Sequence, residues 1–138
     1  MATDSPATTE TLTVGKKLAE MCNQGKNLDA IKSLYSDDIE SVEAMDCPEA
    51  DMPQTMTGKQ AILGKNRWWL DNHEVHESTA TGPFPNGDKF IVLFKIDVTP
   101  KAGAGPMAGQ RMQMQEAGLY TVDNGKIVKE EFFYAMGG

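Results

Sequence analysis

The chain lacks most of what marks a metalloprotein, a secreted disulfide scaffold or a nucleic-acid binder. Two cysteines, Cys22 and Cys47, stand in 138 residues, too few for a disulfide framework and without the CxxC or Cys/His spacing of a zinc site. Residues 1–10 hold no Lys or Arg and no apolar stretch of signal-peptide length, so reduced thiols in a cytoplasmic setting are expected. No uninterrupted apolar run exceeds five residues, as in Phe90–Phe94, whereas a membrane-spanning helix needs about 20. Positive charge is scarce: 13 Lys and Arg face 20 Asp and Glu, a net charge of −7, which repels phosphate backbones and anionic lipid. Neither nucleic acid nor a membrane is an expected partner. No phosphate-cradling glycine motif, Ser/His/Asp set or catalytic-cysteine context is present, so no cofactor is expected.

What remains is ordinary for one globular domain: 40% apolar and 24% charged residues, in a length that matches a single unit of ~100–200 residues. Residues 1–10, rich in Thr, Ser and Ala, read as a mobile tail before a single domain over 11–136. Leu12, Leu18, Met21 and Cys22 mostly follow helical spacing, and Asn23-Gln24-Gly25 supplies a stop. Leu28, Ile31, Leu34 and Tyr35 form the stripe of a second short helix ending near Ser36-Asp37-Asp38. Residues 39–45 alternate as a half-exposed strand, and 46–57 read as a loop. A third helix opens at Thr57-Gly58-Lys59 and runs to about Asn72. Strands follow at roughly 74–82, 88–99, 110–122 and 126–135, with Asn124-Gly125 and Asn86-Gly87 as turn signals. The order gives an α+β domain: three N-terminal helices packed on a curved, mostly antiparallel sheet.

One strand is apolar on both faces. Phe90, Val92, Phe94 and Ile96 share one side, yet Ile91 and Leu93 occupy the other, where a sheet covered on one side normally turns polar residues outward. With Ala117, Leu119, Thr121 and Phe133 they predict an apolar outer patch and a homodimer through the sheet face, the alternative being a few tolerated surface apolar residues.

The runs Leu34-Tyr35-Ser36-Asp37-Asp38-Ile39, Thr57-Gly58-Lys59-Gln60-Ala61-Ile62 and Gly118-Leu119-Tyr120-Thr121-Val122-Asp123-Asn124-Gly125-Lys126-Ile127 together resemble the SnoaL-like branch of the nuclear transport factor 2-like superfamily. The resemblance spans about Leu12 to Tyr134 and implies a cone-shaped α+β roll around a pocket, commonly dimeric. Activities in that superfamily include ketosteroid isomerases, polyketide cyclases, dehydratases and epoxide hydrolases, so fold alone does not choose one. The ketosteroid isomerase pattern places its base at Glu43, or at Asp46 if the loop insertion shifts the register. Its helix tyrosine falls near Leu18 and its second oxyanion donor at Gly118, neither of which donates a side-chain hydrogen bond. Nor do Arg67 and Arg111 offer the acid-arginine-acid set of the epoxide hydrolases.

The strand periodicity puts Glu43, Phe90, Val92, Phe94, Glu116, Glu130, Phe132 and Tyr134 on one face, provided no bulge intervenes at Glu130-Glu131. A carboxylate in an apolar cavity is raised toward neutrality, and a second acid raises it further. Glu43, Glu116, Glu130 and Tyr134 are thus the candidate catalytic residues. Lys95, Lys126 or Lys129 would neutralise the acids if the structural alternative held. Trp69, His76, Phe90, Val92, Phe94, Met112 and Phe132 are the candidate ligand-binding residues. His73 and His76 diverge if they lie on a strand, so no metal is expected. The expected ligand is a small apolar carbonyl or hydroxyl compound, and the activity an isomerisation, cyclisation or dehydration; binding without turnover, or a dimeric interaction module, is the alternative.

Overall fold

The computed structural model describes residues 6–135. Among them, helices α1 (Pro6–Asn23), α2 (Asn27–Leu34) and α3 (Lys59–Asp71) accompany strands β1 (Tyr35–Val42), β2 (Thr55–Thr57), β3 (His73–Asn86), β4 (Lys89–Pro100), β5 (Met112–Asp123) and β6 (Lys126–Phe133). The strands form one sheet in the order β2-β1-β6-β5-β4-β3. All neighbours are antiparallel except β1 and β6. This is the expected α+β architecture.

Helix α1 buries Thr11, Val14, Leu18, Ala19 and Cys22, a stripe at helical spacing that packs over β3 and β4. It starts earlier than expected: of the tail read over 1–10, residues 1–5 lie outside the described residues, while Pro6–Glu10 belong to the helix. Proline suits a first helical turn because its missing N–H has no partner to lose there. Helix α2 stops at Leu34, and β1 begins at once with Tyr35. The expected strand over 39–45 is thus displaced toward the N-terminus. Its parallel ladder with β6, pairing Tyr35 with Ile127 and Ser41 with Glu130, supplies hydrogen bonds that local alternation does not reveal. The expected loop over 46–57 hides β2, which pairs Met56 with Ser41.

The turns behave as their residues demand. Asn124 and Gly125 both adopt positive φ, 52° and 73°, which a two-residue primed hairpin turn requires. Shifts of register in β3 at Val75/Glu77 and Thr81/Phe84 bend the sheet around the helices. In β5–β6 the irregularity falls at Thr121/Val122, clear of Glu130-Glu131. Phe90, Val92, Tyr120, Val122 and Ile127 therefore meet Leu18, Ile31, Leu34, Ile62 and Leu63 from the helices in one core.

Candidate functional site

The ladder registers bring the predicted acids together. Tyr120 pairs with Glu130, Gly118 with Phe132 and Val92, and Glu116 with Phe94, while Ser41 sits beside Glu130 across the parallel ladder. Because side chains repeat every two residues, Ser41, Glu43, Glu116, Gly118, Tyr120, Glu130 and Phe132 all share the helix-covered face.

Glu130 lies deepest, 2% exposed, with both carboxyl oxygens engaged. Tyr35 Oη donates to Oε1 at 2.6 Å and Ser41 Oγ to Oε2 at 3.2 Å. Ser41 Oγ in turn accepts from Lys65 Nζ at 2.7 Å. The same ammonium donates to Glu43 Oε1 at 2.8 Å, and Tyr134 Oη donates to Glu43 Oε2 at 3.2 Å. One chain of hydrogen bonds thus runs from the buried Glu130 to Glu43. Lys65 Nζ also lies 5.6 Å from the Phe132 ring centroid, within cation–π range. At Glu43 the site opens on a cleft of about 360 Å³ lined by Val42, Glu43, Ala44, Gln54, Glu131, Phe132, Phe133 and Tyr134.

Glu116 differs from its two neighbours in having no hydrogen-bond partner among the described residues. Burial pushes its carboxyl up to about 7, the charges of Glu43 and Glu130 push the same way, and Lys65 opposes them. Glu130 is also raised by burial, opposed by Lys65 and by the bonds from Tyr35 and Ser41. Burial and Glu43 raise the Tyr134 phenol. Burial, with Glu130, pushes the Cys22 thiol up to about 12, which leaves it an unreactive core residue.

The other predicted residues divide. Phe90, at 1% exposure, Val92 and Phe94 are core residues, with Phe90 stacked on Tyr120 at 4.9 Å between centroids. Phe132 is partly buried and meets Tyr120 edge-on at 6.2 Å. Met112 starts β5, opposite Val98 and on the same face as Glu116. Trp69 stacks on His73 at 4.4 Å. His76 is not brought to the acids: it is exposed and bonds Thr99 Oγ1 at 2.8 Å, beside Asp97, which Arg111 holds in a bidentate pair. The register shift after Val75 turns His76 away from the site.

Lys65 is the residue that sequence reasoning missed. None of Lys95, Lys126 and Lys129 neutralises the acids: Lys129 pairs with Glu40 and Glu131, and Lys126 donates to the Ser33 carbonyl. Its position three residues after Ile62, on the stripe that α3 turns to the sheet, was the available signal. The positions at which ketosteroid isomerase donors were sought are structural here. Leu18 is 2% exposed in the core. A Cβ on Gly118 would meet Tyr120 Cε2 at 2.7 Å, so the glycine makes room for that ring.

A family model of the SnoaL-like domain matches residues 8–134. A Mesorhizobium loti protein, provisionally named a SnoaL-like polyketide cyclase with the bracketed term carbohydrate phosphatase, superposes with a TM-score of 0.79 at 45% identity, covering 88% of this chain and 97% of that one. A Jannaschia protein, also provisionally named a SnoaL-like polyketide cyclase, has a TM-score of 0.72 at 16% identity, over 96% and 90% of the two chains. An epoxide hydrolase from M. tuberculosis gives 0.65 at 16% identity, over 94% and 86%. At such identities the last two likenesses speak for the fold alone. No curated protein gives a significant match.

Proposed function

The chain belongs to the SnoaL-like family, and from that premise we propose that its acidic interior transfers protons on a small uncharged carbonyl or hydroxyl compound without a cofactor. The observation that carries the reading is the contrast between two neighbouring carboxyls. Glu43 is ion-paired with Lys65 and opens on the cleft, the state and place of a general base. Glu116, raised to about 7, holds a proton near neutral pH and suits the acid. Environments that separate two carboxyls in this way assign their roles. Glu130 and Tyr134 act as positioning groups in this scheme: one anchors Ser41, and with it Lys65, while the other orients Glu43. Isomerisation, cyclisation and dehydration each need such a pair.

The assembly in this reading is a homodimer through the outer sheet face, where Ile91, Leu93 and Phe133 are 38%, 45% and 56% exposed. Such a contact would cover side chains that water otherwise meets. The compartment we assign is the cytoplasm, where the thiols of this chain stay reduced. Binding without turnover is a second reading, favoured by one feature: Phe90 and Val92 fill the core, which leaves the ligand the cleft and the ground beside Glu116.

Exchange of α-protons tests catalysis directly. Acetophenone and related enolisable aryl ketones incubated in deuterium oxide should take up deuterium faster with the protein than without it. Glu43→Gln and Glu116→Gln should each reduce that rate by roughly 10²-fold or more. Binding of such ketones with no exchange above the buffer rate would select the non-catalytic reading.

A further inference from the structure

The phenol of Tyr120 has no role in the hydrogen-bond chain just described. Tyr120 is 2% exposed, its ring held between Phe90, stacked at 4.9 Å and 12°, and Phe132, edge-on at 6.2 Å. No hydrogen bond joins its hydroxyl to any described residue, although the acids Glu130, Glu116 and Glu43 and the Cys22 thiol lie close enough to act on it electrostatically. Burying a hydroxyl without a partner is destabilising. Among the described residues, Ser36 Oγ is the only fully enclosed side-chain polar atom without a partner. The Tyr120 oxygen also lacks one, and it is not completely enclosed. It points along β5 over Gly118, 3.0 Å from where a Cβ of that residue would stand, with Glu116 next on the same face.

We infer that Tyr120 is the hydrogen-bond donor that receives the oxygen of an uncharged carbonyl ligand beside Glu116. The inference rests on the proton-transfer reading for its ligand class and adds the group that orients the ligand. Two observations fit that class. Gly118 lies between Val92 and Phe132 in the ladder, so the ground beneath the hydroxyl is apolar, and Phe132 also lines the open cleft and so connects the two. The titratable groups facing the site are the three carboxyls Glu43, Glu116 and Glu130 and, among the described residues, the one cation Lys65; with Lys65 already bonded to Glu43 and Ser41, the site offers a carboxylate or phosphate ligand no free cation.

Infrared spectroscopy of acetophenone labelled with ¹³C at the carbonyl, bound to the intact protein at millimolar concentration, tests this. Hydrogen bonding lowers the carbonyl stretch, so the bound band should lie below that of the ketone in an apolar solvent. Tyr120→Phe keeps the stack on Phe90; it should return the band toward the apolar value and weaken binding about 10-fold. Gly118→Ala, which tilts the ring, should shift the band in the same direction. Benzoate should fail to compete. Equal band and affinity in wild type and Tyr120→Phe would overturn the inference, as would absence of acetophenone binding, or benzoate competing as well as the ketone. If Tyr120→Phe is silent while Glu116→Gln moves the band and stops deuterium uptake, Tyr120 is not the donor and the proton-transfer reading stands. If the Tyr120 effect is present without deuterium uptake, the donor stands and that reading falls.

Discussion

Strand β5 presents opposite chemistry on its two faces. Inward it carries Glu116, Gly118 and Tyr120; outward it carries Ala117, Leu119 and Thr121, beside the exposed Ile91, Leu93 and Phe133 of its neighbours. A sheet covered by helices on one side ordinarily hides apolar groups and shows polar ones. Here part of the inner face buries carboxyls, and part of the outer face leaves large apolar groups in water. The inner departure is sustained by hydrogen bonds that satisfy Glu130 and Glu43. Glu116 is left outside that support. The outer departure has no such internal compensation, and the proposed homodimer contact would cover it.

The largest break in this contrast should come from Glu130. Replacing it by Ala strands the Tyr35 and Ser41 hydroxyls and leaves the Lys65 ammonium one acid poorer. A loss of about 3–5 kcal/mol in urea unfolding is expected; a loss below about 1 kcal/mol would remove Glu130 from the supporting network.

Glu116 should behave in the opposite sense. Its carboxyl is raised in the folded chain, from 4.5 to about 7, so between those values the native state binds more protons than the unfolded one. Stability then falls as pH rises through that window and levels off above it. Glu116→Gln removes the penalty, and should stabilise the protein by roughly 3 kcal/mol at pH about 8, with the gain vanishing toward pH about 4. Unfolding of the two proteins across pH measures this difference. A Gln variant that is less stable than wild type at the higher pH would mean that Glu116 is stabilised as an anion after all.

Smaller effects sharpen the boundary between the faces. Gly118→Ala should cost about 1–3 kcal/mol by overpacking against Tyr120, read from thermal unfolding. On the outer face Leu93→Lys should change monomer stability by less than about 0.5 kcal/mol. Analytical ultracentrifugation should nonetheless show the dimer dissociating; a wild-type protein that sediments as a monomer would leave the outer patch without the partner proposed for it.

Most of the fold was legible in the sequence because the periods are clean. Leu18 and Cys22 on α1, Leu28, Ile31 and Leu34 on α2, and the alternation of Phe90, Val92 and Phe94 placed their elements correctly. The inward set of Glu43, Glu116, Glu130 and Phe132 followed from the same two-residue period, since the only β5–β6 irregularity lies at Thr121/Val122. Elements that depend on distant pairing were not legible. The early start of β1 requires β6, eighty and more residues away, and β2 is three residues long and exists by pairing with β1. The electrostatics were harder for the same reason. That Lys65 on α3 would reach Ser41 and Glu43, and that Tyr35 rather than a lysine would hold Glu130, are contacts between segments that only the fold brings together. His76 was misplaced because a register shift after Val75 leaves no local signature in the sequence.

In the proposed site Glu116 is a carboxyl that ionises near neutrality beside acids that are already satisfied. A ¹³C-detected NMR titration of the glutamate side chains, with Glu116→Gln to assign the resonance and Lys65→Met to remove the opposing cation, tests it most directly. The predicted result is a Glu116 midpoint near 7 that moves higher in Lys65→Met. A midpoint near the ordinary 4.5, unmoved by the loss of Lys65, would contradict it.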